Sequence, residues 1–293
     1  MKRILACFLV LITLLCCALP VLAEGNAVEP AADEAVTTGE AAEDAVDEEP
    51  SAIEAFFQSL KDQFILNFIT GNRWKMLLDG LLLTLKITAL AVVLGIAIGI
   101  VIALIRSTHD TNIQKMRGVG RVLMKIFNGI CKVYLTVIRG TPVVVQLMIM
   151  YFVIFASSTN KLLTCVLAFG INSGAYVAEI FRGGIMSIDK GQIEAGRSLG
   201  FNYIQTMCFI VIPQAFKNVL PTLANEFIVL LKETSVSGYV AMTDLTRAGD
   251  IIRGNTFSPF MPLIAVALIY LVMVMILTWL VGKLERRLRN SDH

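Results

Sequence analysis

The chain has 293 residues, 56% of them hydrophobic and 16% charged, with a mean hydropathy of +0.72. A soluble domain holds about half apolar and about a quarter charged residues, so these proportions exclude an ordinary soluble enzyme and indicate an integral membrane protein. The formal net charge of +2 hides an asymmetry: residues 24–54 hold 11 Asp/Glu and no Lys/Arg, whereas the chain beyond them holds 12 acidic and 23 basic residues. Those basic residues are scattered rather than gathered on one soluble face, which argues against nucleic acid as a partner.

Residues 1–23 read as a secretory signal. Lys2 and Arg3 precede an apolar run from Ile4 to Leu15, and Val21-Leu22-Ala23 offers small residues for cleavage. The competing reading is an uncleaved first span. Residues 24–50 contain no aromatic or basic residue and cannot bury enough apolar surface to offset their ordering entropy. They are expected to form a disordered extracytoplasmic tether. In residues 51–76, Ile53, Phe56, Phe57, Leu60, Phe64 and Phe68 recur at helical spacing, with Lys61 and Asp62 opposite. That pattern predicts an amphipathic helix on the outer membrane surface.

Five apolar runs follow, at about 80–105, 141–157, 162–180, 214–231 and 262–281, long enough together to predict an all-α protein with five transmembrane helices. Residues 119–138 are amphipathic. Val122, Leu123, Ile126, Phe127, Ile130, Val133 and Val137 share one face, with Arg121, Lys125 and Lys132 on the other. A signal places residue 24 outside, and five spans place the tail, 288–293, inside. The segments expected inside, 106–139, 182–217 and 283–293, carry 15 Lys/Arg against 7 in those expected outside, in agreement with the positive-inside rule. Cys131, Cys165 and Cys208 lie singly in apolar surroundings and read as small core hydrophobes, with neither a disulfide nor a metal role.

A polar stretch, "GQIEAGRSLGFNYIQTMCFIVIP" at 191–213, interrupts the spans on the inner side. Gln192–Leu199 reads as a short helix, and Gly200 stands where a helix ends in the left-handed conformation. A second, apolar-rich segment with Phe201, Tyr203, Met207, Phe209 and Ile210 follows and is expected to stop at Pro213. The result is a two-helix elbow suited to a groove of another protein or to the lipid surface.

The pattern Glu194-Ala195-Gly196, then Gly200, then Ile210-Val211-Ile212-Pro213 resembles the EAA loop of binding-protein-dependent ABC importer permeases. Gly196 stands where Ala is usual and Ile212 where Leu is usual. Gly196 lowers local helix stability by about 1 kcal/mol against Ala. "RGTPVVVQLMIMYF" (139–152), "NSGAYVAEIFRGGIMSI" (172–188), "PQAFKNVLPTLANEFIVLLKETS" (213–235) and "LIYLVM" (268–273) are similar to hallmarks of the polar amino-acid branch of that family, and the likeness runs from about Leu77 to Arg287. The resemblance implies the ABC importer type I permease fold with an extracytoplasmic N-terminus, residues 77–287 forming the permease domain. It also implies that loop 183–213 docks on an ATPase. The implied partners are ABC ATPase subunits carrying ATP and magnesium, a second permease chain, an extracytoplasmic solute-binding protein, the amino-acid substrate and membrane lipid. No G-x-x-x-x-G-K-[ST] phosphate loop occurs in this chain, so no cofactor is expected on it and ATP hydrolysis is expected on the partner.

Charged groups inside a bilayer each require an account. Lys86 either snorkels to the outer headgroups or lines the pathway. Lys232 and Glu233 either neutralise each other or meet the carboxylate and ammonium of a zwitterionic amino acid. Asn225 and Glu226 lie about two turns earlier on the same helix, and Pro221 before them removes a backbone hydrogen bond. Asn172, Ser173 and Tyr176 are expected on one face of the third span, for packing or for substrate contact. Gly95-x-x-x-Gly99 is a close-packing pattern. Competing classes are an ABC permease for another small polar solute, a secondary transporter and a membrane sensor. A hydrolase lacks its residues, with His109 in a loop and His293 last.

Overall fold

The computed structural model describes residues 52–290, which lie within one unit. The signal, the tether and residues 291–293 lie outside the described residues. Ten helices carry the described chain. α1 (Ala52–Phe64) leads through one wide turn to Gly71 and Asn72, whose left-handed φ values of 66° and 54° break the helix before α2 (Arg73–Asn112) begins. α3 (Gly118–Gly140) and α4 (Val143–Ile149) meet at a corner, α4 continuing as a wide turn to Ile154. α5 (Lys161–Met186), α6 (Lys190–Ser198), α7 (Tyr203–Thr206), α8 (Ile212–Glu233), α9 (Leu245–Thr256) and α10 (Phe260–Asn290) complete the order.

α2 and α5 form the centre of the fold. Each offers glycines to the other. A Cβ on Gly99 would fall 2.4 Å from Val177 Cγ1, and one on Gly170 would fall 2.6 Å from Leu94 Cδ2. Gly95 meets Ser173, and Gly174 meets Ile98. Bare backbone at these positions lets the two helices approach more closely than side chains would allow. Contacts rise in step along both helices: Leu94 with Gly170, Gly99 with Val177, Arg106 with Glu179, Asp110 with Arg182. The pair is therefore parallel.

A parallel pair requires the chain between the two helices to return along their length. α3 and α4 make that return. Cys131 and Leu135 pack with Ile102 at one end, and Leu147 packs with Ile87 and Ala91 further along. The expected straight span at 141–157 is thus corrected. Only Val143–Ile154 is helical there, about 18 Å at 1.5 Å per residue, against a hydrocarbon core of about 30 Å. The crossing belongs to the bent pair α3–α4, broken by 109°. Pro142 is the cause. It confines Thr141 to an extended conformation, with φ −122° and ψ 146°, and so ends α3 at Gly140. With this pair as one span, four further helical stretches, 53–112, 161–186, 203–240 and 260–288, are long and apolar enough to cross a bilayer.

The third and fourth crossings extend beyond the expected 162–180 and 214–231. Lys161–Met186 gains its length because Glu179 and Arg182 find ionic partners on α2. α8 runs unbroken past Pro221. The apolar-rich segment also does not stop at Pro213. Pro213 sits in the first turn of α8, where its missing N–H costs least, and Met207–Val211 widens into a turn closed by Ile212 N–H on Met207 C=O. Outward faces are strongly apolar: Val122, Val133, Val272, Ile276 and Trp279 are all exposed. In a membrane protein this is the surface that acyl chains or a second subunit cover.

Candidate functional site: a coupling elbow and a polar seam

The elbow is built from its glycines. Asp189 caps α6, its Oδ1 accepting from Gly191 N at 2.6 Å. At the other end Phe201 N donates to Gly196 O and Gly200 N to Arg197 O, while Gly200 takes φ +83°. These two bonds are the Schellman closure, and only glycine adopts this conformation without a Cβ penalty. Asn202 and Gln205 then form a reciprocal capping box at the start of α7.

Gly196, the departure from Ala, is buried against α7 and the wide turn. A Cβ there would meet Ile210 Cδ1 at 2.7 Å and Thr206 Cγ2 at 3.1 Å. Ile210 is half-buried and Pro213 exposed. Glu194, Ala195, Arg197 and Leu199 point outward, Leu199 at 74% exposure. The elbow is thus one packed unit with an inner seam at Gly196 and Ile210. Its outer face carries a carboxylate, a guanidinium and a leucine. Cys208 lies on this unit and is exposed, which corrects its assignment to a core; Cys131 and Cys165 are buried.

The second group lies along α5 and α8. Their antiparallel packing brings Ser173 Oγ within 3.2 Å of Glu226 Oε1. Asn172, Ser173 and Tyr176 do not act as one face. Asn172 is buried and donates to Gln146 Oε1 on α4 at 3.0 Å. Ser173 turns to α8, and Tyr176 lies under the guanidinium of Arg139, 5.5 Å from the ring centre. The Oδ1 of Asn172 is buried with no hydrogen-bond partner among the described residues. A buried acceptor left unpaired carries a desolvation cost unless a ligand or neighbour donates to it. Asn225 and Lys232 are exposed, and Glu226 and Glu233 are half-buried. Lys86 is exposed on α2.

Sequence reasoning passed over Gln146 and Arg139, although both lie within "RGTPVVVQ". Gln146 closes the α3–α4 corner. Its Nε2 shares two hydrogens among Ile138 O at 2.7 Å, Thr141 O at 3.0 Å and Thr141 Oγ1 at 2.8 Å. The polar Gln between apolar residues was the available signal. Asp244 was missed as well. Its carboxyl is fully buried at the start of α9 and accepts from the N–H groups of Thr246 and Arg247. Burial raises its pKa above the ordinary value, and those hydrogen bonds oppose the rise.

A bundle of membrane-crossing helices with a polar seam inside and a rigid elbow at one end defines a membrane transport subunit rather than a soluble binding module. The comparisons with known proteins place it more closely. Residues 95–290 match the model of the binding-protein-dependent transport system inner membrane component, and the chain belongs to that family. Over 219 residues it is 37% identical to the arginine transport system permease protein ArtQ of Bacillus subtilis, covering 74% of this chain and 94% of the relative. It is 34% identical over 218 residues to the glutamine transport system permease protein GlnP of Escherichia coli, covering 73% and 93%. The crystal structure of an amino acid ABC transporter with histidines superimposes with a TM-score of 0.65 at 40% identity, over 75% of this chain and 98% of that one. An inward-facing MetNI methionine ABC transporter has the same fold at 17% identity and a TM-score of 0.59, over 73% and 97%. The chain is a multi-pass inner-membrane permease with the type I importer fold.

Proposed function

We propose that this chain is the pathway-forming subunit of an ATP-driven importer for polar amino acids. The observation that carries the reading is the elbow. A helix closed by a left-handed glycine, packed on its own second arm at Gly196 and Ile210, holds Glu194, Arg197 and Leu199 outward where α5 ends and α8 begins. Such a unit passes a push from a docked partner into two spans at once. The partner is an ABC ATPase, which binds ATP and magnesium and performs the hydrolysis. The chain itself is not an enzyme in this reading. The elbow faces the cytoplasm and α1 faces outside, as the excess of Lys/Arg on the elbow side supports. A second permease chain completes the pathway, and a solute-binding protein delivers from outside.

The amino-acid class is supported by the names of the relatives and by the polar seam. Glu226 offers a carboxylate to an ammonium, and the unpaired Asn172 Oδ1 offers a further acceptor. Lys232 and Glu233 offer complementary charges at the outer end of α8. The test is ATPase activity of the reconstituted permease–ATPase complex, with purified binding proteins, against a panel of amino acids. Stimulation by arginine, glutamine or histidine is expected. Stimulation by a non-amino-acid solute alone would move the substrate to another polar class.

A further inference from the structure

The last turns of α10 carry charges that neither coupling nor the polar seam uses. Trp279, Lys283, Arg286 and Arg287 line a surface cavity of about 370 Å³. They recur at the spacing of a single helix face. Lys283 Nζ lies 5.3 Å from the centre of the Trp279 ring, and Arg286 Nε donates to Gly282 O at 3.2 Å. Neither contact neutralises a cation. The ring leaves the ammonium hydrogens for an oxygen acceptor, and Arg286 keeps its terminal nitrogens. No ion pair joins Lys283, Arg286 or Arg287 to an acidic side chain among the described residues. Glu285, the one acidic residue of α10, stands about 100° or more around the helix from each of them. Three exposed cations without a carboxylate attract an anion.

The same face selects the anion. Leu268, Val272, Met275, Ile276 and Trp279 are 37% to 60% exposed and lead to Lys283 in steps of three and four residues. The other side of α10 packs inward through Val266, Tyr270 and Met273, so the apolar track and the cations share the outward face. From Leu268 to Trp279 the track measures about 16 Å at about 1.5 Å per residue, which matches the hydrocarbon of one leaflet at about 15 Å. It ends on a tryptophan, a side chain that settles at headgroup level. α10 is also the least covered of the four unbroken crossings, with 11% of its apolar stretch buried against the rest of the chain. A soluble anion would leave the track bare, and an apolar partner helix would leave the cations unpaired. An anionic amphiphile one leaflet long satisfies both, and basic clusters at the end of a span attract such headgroups. We infer that this face of α10 binds an anionic phospholipid, its phosphate among Lys283, Arg286 and Arg287 and its acyl chains along Leu268 to Trp279.

Trp279 supplies the probe. Trp74→Phe leaves it the only tryptophan of this chain. The Trp74→Phe permease–ATPase complex is reconstituted in phosphatidylcholine vesicles that contain increasing fractions of brominated phosphatidylglycerol or brominated phosphatidylcholine, and quenching of its fluorescence is followed. The Trp74→Phe/Trp279→Phe complex gives the signal of the ATPase for subtraction. Brominated phosphatidylglycerol is expected to quench Trp279 at a mole fraction at least about tenfold lower than brominated phosphatidylcholine. Lys283→Gln should raise the phosphatidylglycerol midpoint about fivefold, the effect of one surface charge, and Lys283→Arg should leave it in place. Lys125→Gln removes a charge from α3 and should titrate like its parent. Equal quenching by the two lipids would overturn the inference, as would displacement of brominated phosphatidylglycerol by excess inorganic phosphate. Absence of quenching by either lipid would overturn it in favour of a protein surface covering this face. An unshifted Lys283→Gln midpoint, or an equal shift in Lys125→Gln, would also overturn it. The readout needs no transport, so it is independent of the substrate reading. The comparison of the two lipids stands even if the Lys283→Gln complex does not assemble.

Discussion

At the scale of single residues the proposed coupling role and the proposed substrate role can be tested apart. Gly200 is held at φ +83° by the bonds of Phe201 and Gly200 back to α6. A β-branched residue there costs about 1–2 kcal/mol in backbone conformation, so Gly200→Val should re-aim α7 against α6. We expect a protein that inserts normally, an ATPase no longer stimulated by substrate, and uptake reduced at least tenfold. Normal uptake by Gly200→Val would remove the elbow from the coupling role. Gly196→Ala poses a different question. Helix propensity favours Ala, but its Cβ would press the flexible end of Ile210. Since that end can rotate away, coupling should stay within about twofold. On the seam, Glu226→Gln keeps the bond from Ser173 but removes the charge. If Glu226 meets an ammonium, uptake should fall more than tenfold with expression unchanged. An uptake loss matched by an equal loss of folded protein would assign Glu226 a packing role only.

Helical elements were more legible than their connections. Apolar runs marked α2, α5, α8 and α10, because a bilayer demands long uninterrupted hydrophobicity whatever the tertiary contacts. The crossing between α2 and α5 was misplaced. Its apolar signal at 141–157 was real, but Pro142 and the Gln146 clasp divide it from α3, whose Lys and Arg residues concealed its share of the span. The glycine pattern on α2 was visible in the sequence. Its partners on α5 were not, since register between helices is a tertiary property. The same limit hid the Arg106–Glu179 and Ser173–Glu226 pairs. Replacing Gln146 with Leu should expose the corner's dependence on its clasp. The carbonyl of Ile138 and the amide of Asn172 would lose their partner, at about 1–3 kcal/mol for each group left buried and unpaired. A clear drop in thermal transition is expected. A transition matching the wild type would show that the corner is held by Pro142 and packing alone.

At the scale of the whole molecule, the parallel arrangement of α2 and α5 governs the topology. Because both run in the same sense, the bent pair between them counts as one crossing, and the described chain crosses five times. An odd number places α1 and the end of α10 on opposite sides. It also gathers the loop after α2, the elbow and the end of α10 on one side, and the segments before α5 and around α9 on the other. The basic residues Lys115, Arg117, Lys190, Arg197, Lys283, Arg286 and Arg287 all fall on the elbow side, so that side should be cytoplasmic. Two single cysteines on a background with Cys208 changed to Ser would test this. Ser198→Cys lies on the exposed face of α6, and Tyr239→Cys replaces a side chain 66% exposed between α8 and α9. A membrane-impermeant maleimide should label Tyr239→Cys in intact spheroplasts and Ser198→Cys only in inverted vesicles. Bound ATPase should then protect Ser198→Cys, because docking covers the elbow, and should leave labelling of Tyr239→Cys unchanged. Labelling of both positions from one side would overturn the five-crossing topology. The reverse pattern would keep five crossings and invert the orientation, which would place the elbow where no cytoplasmic ATPase could reach it.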